Sequence, residues 1–183
     1  MVTETHLRPG DVGSLRVPHY YVVTDCSRPT PVGKKLGGGV AILAHENFMA
    51  EEIKEQKGAH TPTIESCAIR LFPTEDPRTV IQITGIYMAP SRLNGVTMPR
   101  LLKLSNITPA EGHHDICPHL IGGDLNTPSW STLYNEWIQE GGMIELIGPV
   151  TPTFALGTAI DKFLFVPGSY IRSTLLSPWR PLP

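Results

Sequence analysis

Asp124 and Asn126 stand two positions apart where an apolar run ends, in HLIGGDLNTPSW. If the strand continues through them, they share one face and Leu125 takes the other. A carboxylate beside a carboxamide can hold a hard cation, a water or a phosphate oxygen. The same residues, with Thr127 and Pro128, are also turn formers, so a simple turn competes with a site. Asp161 is the sharper anomaly, set in TPTFALGTAIDKFLF between Ile160 and Phe163-Leu164-Phe165. An acid there is costly unless it is paired or lies at a strand end. Glu4, in VTETHL, reads as a surface acid or a potential ligand. Tyr87, in ITGIYMAPS, reads as a half-buried strand tyrosine or a donor at a strand end, and Thr153 lies upstream of Asp161.

These residue types fit one chemistry. Glu4 and Asp124 offer oxygen ligands of the kind magnesium prefers. Asn126 can orient a phosphate or an attacking water, and Tyr87 can donate to a phosphate oxygen. Metal-assisted phosphodiester hydrolysis needs charge neutralisation, an oriented water and stabilisation of charge on phosphorus-bound oxygens. A rival cluster, HHDICPH with His113, His114, Cys117 and His119, holds zinc-type ligands. Its spacing matches no common zinc pattern and no second ligand pair lies elsewhere, so it reads as a histidine-rich loop before a strand.

The elements that must position these residues follow from hydrophobic pattern. Short apolar or alternating runs predict strands over 20–24, 39–44, 66–72, 80–87, 119–122 and 160–166. The runs 66–72 and 80–87 read as a hairpin joined at 73–78. Helices are predicted over 98–105 and 131–141. The second has Ser129 or Ser131 as cap, Leu133, Trp137 and Ile138 on one face, and Gly141–Gly142 as stop. Strands in series with few helices imply a layered α/β or α+β domain, and 183 residues imply one domain over 1–183.

Net charge is −2, so no basic field announces nucleic acid, and DNA contact would rest on local clusters such as Arg28, Lys34 and Lys35. Three widely spaced cysteines, Cys26, Cys67 and Cys117, imply no disulfide framework and fit a reducing compartment. The polar start MVTETHLRPG carries no signal peptide, and no apolar run reaches membrane-spanning length. A soluble intracellular protein is expected.

The order of motifs resembles the endonuclease/exonuclease/phosphatase superfamily, and within it the apurinic-type endonuclease domain of non-LTR (LINE-like) retrotransposons. The matching pieces are TETHL (3–7), LGGGVAIL (36–43), GIYMAPS (85–91), LIGGDLN (120–126), WIQEGGMIEL (137–146) and PTF with AIDKFLF (152–165). The resemblance implies a four-layered α/β sandwich, two packed and mostly antiparallel sheets flanked by helices. It implies nicking of DNA with magnesium or manganese, leaving a 3′-hydroxyl that primes reverse transcription, and a DNA target implies the nucleus. It makes Glu4 the metal-binding glutamate, Tyr87 the active-site tyrosine and Asp124 the activator of nucleophile or leaving group. It makes Asn126 the substrate-aligning asparagine, Thr153 a phosphate contact and Asp161 the aspartate that orients a catalytic histidine.

Departures from the family pattern divide the expectation. An asparagine-bearing strand ahead of the glutamate and a closing Ser-Asp-His strand are missing, so the sandwich is expected to be incomplete at both termini. Lys162 replaces the usual tyrosine after the ID element. Without the histidine, turnover is expected to fall by orders of magnitude. Three functions therefore stand open. They are a nicking endonuclease belonging to a longer polyprotein, an inactive remnant that binds nucleic acid or protein, and a phosphoesterase acting on a phospholipid or inositol phosphate.

Overall fold

The computed structural model describes residues 1–5, 11–27, 38–61, 64–73, 79–90, 97–106, 118–128, 131–146 and 161–167. A small antiparallel sheet holds β1 (Val2–Thr3), β2 (Tyr20–Cys26) and β3 (Val40–His45), in the order β1-β3-β2. A larger sheet holds β4 (Phe48–Glu52), β5 (Gly58–Thr61), β6 (Ile64–Pro73), β7 (Ile81–Met88), β8 (His119–Asp124), β9 (Ile144–Glu145) and β10 (Asp161–Val166). Its order is β4-β6-β7-β8-β10-β9, with β5 also pairing β6. Helices α1 (Met98–Ser105) and α2 (Thr132–Gly141) and two short 3-10 turns (Asp11–Ser14, Lys54–Gln56) complete the regular elements among the described residues.

The β6–β7 pair is the predicted hairpin, antiparallel from Ile64↔Met88 to Leu71↔Ile81. β7 and β8 run parallel. A parallel pair needs a crossover, and α1 lies between them in sequence. Central strands of such a sheet bury both faces. Ile86 and Met88 of β7 pack with Ile121, Leu164, Leu101, Leu104, Tyr134 and Trp137 against the helices. Tyr87, between them in sequence, faces the other way and packs with Cys26, Val40, Ile42, Cys67 and Ile69 between the sheets. The result is the two-sheet α/β sandwich that the resemblance implied, with α1 and α2 on the outer face of the large sheet.

The predicted strands are present, with β2 and β8 running two residues further than expected. β1, β4, β5 and β9 were not predicted. They are sheet-edge pieces of two to five residues, too short or too exposed for alternation to register. α2 stops at Gly142, which adopts φ 59°. The Met143 amide bonds the Ile138 carbonyl and the Gly142 amide that of Gln139, the glycine-stopped geometry expected. Two details of α2 differ. Ser131 occupies the cap position without a side-chain cap bond, and Tyr134 with Trp137, not Leu133, forms the fully buried ridge. No helix among the described residues is long and apolar enough to cross a membrane.

Candidate active site

β7, β8 and β10 lie side by side, and their register decides what meets at one end. Tyr87 pairs across to Asp124, and Asp124 pairs across to Asp161. Three polar residues far apart in sequence thus form one row where β7 and β8 end and β10 begins. Gly123 permits this closeness. It has φ 140°, and a Cβ there would sit 1.8 Å from the Ile86 carbonyl oxygen. Only glycine allows β8 to approach β7 so near its end.

β8 stops at Asp124. The expectation that Asn126 continues the strand and shares the face of Asp124 is therefore corrected. Asn126 takes a left-handed conformation, φ 46°, and its amide N–H donates to Asp124 Oδ1 at 2.8 Å. Its side-chain Nδ2 donates to the Met88 carbonyl at 2.9 Å, tying the turn to the end of β7. The turn that these residue types allowed is present, and it holds Asn126 beside Asp124. Leu125 points into the helix-side core, as expected.

Asp124 is buried, 7 % exposed. Burial first, then the charges of Asp161 and Glu4, push its carboxyl up to about 6, while the Asn126 amide pulls it back. Glu4 follows β1 with φ 51°, and the Tyr87 hydroxyl donates to its Oε1 at 3.4 Å. Burial and the neighbouring Glu4 and Asp124 charges push the Tyr87 phenol up to about 12, so it remains a donor at neutral pH. Asp161 is half-buried at the first position of β10. Lys162 turns to the opposite face. It is buried, its Nζ lies 3.2 Å from Glu145 Oε1 and 4.9 Å from the Tyr134 ring centre, so it braces α2 and takes no place in the row.

The structure thus brings Glu4, Tyr87, Asp124, Asn126 and Asp161 to one end of the sandwich. Thr153 lies outside the described residues, as do Ser129, Arg28, Lys34, Lys35, His113, His114 and Cys117. His119 lies at the start of β8, remote from the row, fully buried in a hydrogen-bonded network. The other histidines with described side chains, His19 and His45, stack at the far end of β2 and β3. One residue at this end went unnoticed in the sequence. Glu65, in IESCAIRL, is fully buried opposite Tyr87. An acid inside an apolar strand was the signal, the same one that marked Asp161.

A family model described as the endonuclease/exonuclease/phosphatase family matches residues 1–182. The chain belongs to the endonuclease/exonuclease/phosphatase family. Several solved structures share the fold. The human Nocturnin catalytic domain with bound sulfate is 18% identical, with TM-score 0.56 over 81% of this chain and 61% of that one. The endonuclease domain of TRAS1, a telomere-specific non-LTR retrotransposon, is 16% identical, with TM-score 0.53 over 81% and 65%. A mannosyl-6-phosphatase from Bacteroides thetaiotaomicron is 15% identical, with TM-score 0.51 over 82% and 64%. At such identities the likeness is one of fold, and the chain spans less than two thirds of each structure. A comparison with curated protein sequences finds no match.

Among the described residues no three His, Cys, Asp or Glu side chains form a ready-made metal cage. The donor set still suits the divalent cation general in this family. Glu4 and Asp124 present carboxylate oxygens, and the charges of Glu4 and Asp161 that raise the Asp124 carboxyl are an excess that a hard cation would offset.

Proposed function

We propose that this chain is a divalent-cation-dependent endonuclease that nicks DNA by hydrolysing a phosphodiester. The observation that carries the reading is the row Tyr87–Asp124–Asp161, with Glu4 hydrogen-bonded to Tyr87 at its side. Magnesium or manganese, held by Glu4 with Asp124 nearby, would neutralise phosphate charge. With substrate in place and Glu4 turned to the cation, the Tyr87 hydroxyl would donate its single proton to a phosphate oxygen. Asn126, fixed by its bond to Met88, aligns the substrate. Oδ1 of Asp124 is engaged by the Asn126 amide, so Oδ2 is the oxygen that takes up or returns the proton of the nucleophile or leaving group. Before a cation binds, burial and the charges of Asp161 and Glu4 hold its carboxyl up at about 6. By the resemblance, Asp161 matches the aspartate that orients a catalytic histidine, and Thr153 contacts phosphate.

A second reading draws on the sugar-phosphatase fold relative and the net charge of −2, which favour a smaller phosphorylated substrate. Plasmid nicking separates the readings. The purified chain is incubated with supercoiled DNA in magnesium or in EDTA, beside Asp124→Ala. Magnesium-dependent conversion to open circle, absent from the variant, is the expected result. A folded chain that leaves DNA intact but releases phosphate from a sugar or inositol phosphate would replace the endonuclease with the second reading. Salt-sensitive DNA binding without turnover would identify a non-catalytic remnant.

A further inference from the structure

Gly38 and Gly39 lead into β3 with φ 81° and φ 95°. Their turn packs against two sides of the site at once. A Cβ on Gly38 would lie 2.7 Å from Glu65 Oε2, 2.8 Å from Glu65 Oε1 and 3.0 Å from Tyr87 Cε1. A Cβ on Gly39 would lie 2.2 Å from Thr5 Oγ1. The Gly39 amide donates to Glu65 Oε2, and the Gly39 carbonyl accepts from the Thr5 amide at 3.4 Å. Glu65 is fully buried, and on β6 it stands directly opposite Tyr87. A carboxylate kept wholly from water is costly, and replacing it by an apolar residue of similar size would often be no loss to stability. Its place between the glycine turn and Tyr87 gives it another use.

We propose that Glu65 is a positioning residue, which through the Gly38–Gly39 turn fixes Glu4 relative to Tyr87. The chain of contacts is short. Glu65 holds the Gly39 amide, Gly39 holds the Thr5 amide, and Glu4 is the residue before Thr5. With φ 51°, Glu4 has little backbone freedom once Thr5 is fixed. Glycine at 38 leaves the space that the Glu65 carboxylate fills, and glycine at 39 the space that the Thr5 hydroxyl fills. The Gly38–Gly39 turn and Glu65 are thus two halves of one support, although neither supplies a reacting group. The proposal rests on the reading of Glu4 as the cation-holding residue, and its test also separates the two.

The test compares wild type with Glu65→Gln and Gly38→Ala. Manganese affinity is measured by EPR, Thr5 and Gly39 amide exchange by NMR, and nicking as kcat and KM. Glu65→Gln is expected to weaken manganese binding by about tenfold, as outer-shell partners of metal ligands do. It lowers kcat in step, leaves KM for DNA unchanged, and speeds exchange at both amides while thermal unfolding remains cooperative. Gly38→Ala reaches the same support from the other side and serves if Glu65→Gln does not fold. In the double variant the loss should be no larger than in the worse single variant. Unchanged manganese affinity and unchanged exchange in these variants would overturn the inference. If wild type neither nicks DNA nor binds manganese, the functional reading fails, and the amide exchange still decides the role of Glu65.

Discussion

The β7–β8 pair carries two polar regions, one at each end, and they are built on opposite rules. At one end Gln82 pairs with His119, and five residues on Tyr87 pairs with Asp124. That is roughly 16 Å along the strands at a rise near 3.3 Å per residue. At the first end every group meets a partner. Thr84 Oγ1 lies 2.8 Å from His119 Nε2 and 3.0 Å from Gln56 Oε1. His119 Nδ1 lies 3.3 Å from the Ser105 carbonyl, and Trp137 Nε1 donates to Ser105 Oγ at 2.9 Å. At the second end acids gather beside other acids, and burial raises the proton affinity of Asp124. The first arrangement serves stability. The second holds unfavourable charge that a cation and a phosphate would balance, the usual relation between stability and function at a site.

The largest effect that tests this contrast is on the acidic end. Asp124→Asn should lower nicking by about ten-thousandfold, the loss seen when one member of a hydrolytic constellation is replaced isosterically. In EDTA the same variant should be more stable than wild type at neutral pH. The sign follows from the raised carboxyl. The folded state holds a proton more tightly than the unfolded chain, so wild-type stability falls as pH rises from 3.8 to about 6, and the full penalty stands above that. It amounts to roughly 3 kcal/mol. Denaturant unfolding at pH 7 measures it, and a less stable Asp124→Asn would break the contrast.

His119 tilts stability the other way. Burial pushes its imidazole down from 6.5 to about 4. The unfolded chain binds the proton first, so stability is complete above 6.5 and falls as pH drops toward about 4, by roughly 3 kcal/mol. The two ends oppose each other over nearly the same pH window. Wild type in EDTA should therefore show a shallow stability profile between pH 4 and 6.5. Asp124→Asn should steepen the loss in acid, and His119→Asn should turn it into a gain. Unfolding midpoints across that range check both, and parallel profiles for all three proteins would contradict the assignment.

Tyr87→Phe touches the acidic end more gently. It removes the hydroxyl that donates to Glu4 and leaves the ring packed between the sheets. Nicking should fall by about a hundredfold, the cost of one donor to developing charge. Little stability should be lost, since the group removed serves a partner that is itself exposed. A variant that nicks normally would remove Tyr87 from the proposed machinery.

The two ends also differ in how far the sequence revealed them. Asp124, Asn126 and Asp161 were legible because acid and amide interrupt apolar runs, which physical cost makes rare. Tyr87 and Glu4 gave only a weak local signal, a polar residue near a strand edge, and motif order added their roles. Their meeting depends on register between β7, β8 and β1's neighbours, which pattern does not encode. The network end was legible only in part. His119 was read as the start of a strand, which it is, but only tertiary packing shows that its partners are Thr84, Gln82 and Ser105. The central strands and both helices were legible from period alone. The short edges β1, β4, β5 and β9 were not, since a strand of two to five residues gives periodicity nothing to repeat.

The smallest expected effect decides whether the two ends are independent. Ser105→Ala removes the acceptor of Trp137 Nε1 and leaves a buried indole N–H without its bond. The loss should be about 1–2 kcal/mol, the cost of one unmade buried hydrogen bond. Nicking per folded molecule should not change, because Ser105 lies at the network end and Asp124 at the other. Combined with Asp124→Asn, the two stability changes should add within about 0.5 kcal/mol, as for sites without shared partners. Denaturant unfolding of the two single variants and the double variant measures this. A larger coupling would mean that β7 and β8 transmit strain along their length. The acidic end would then be held in its costly state by the network, and the separation of the two regions would be one of composition alone.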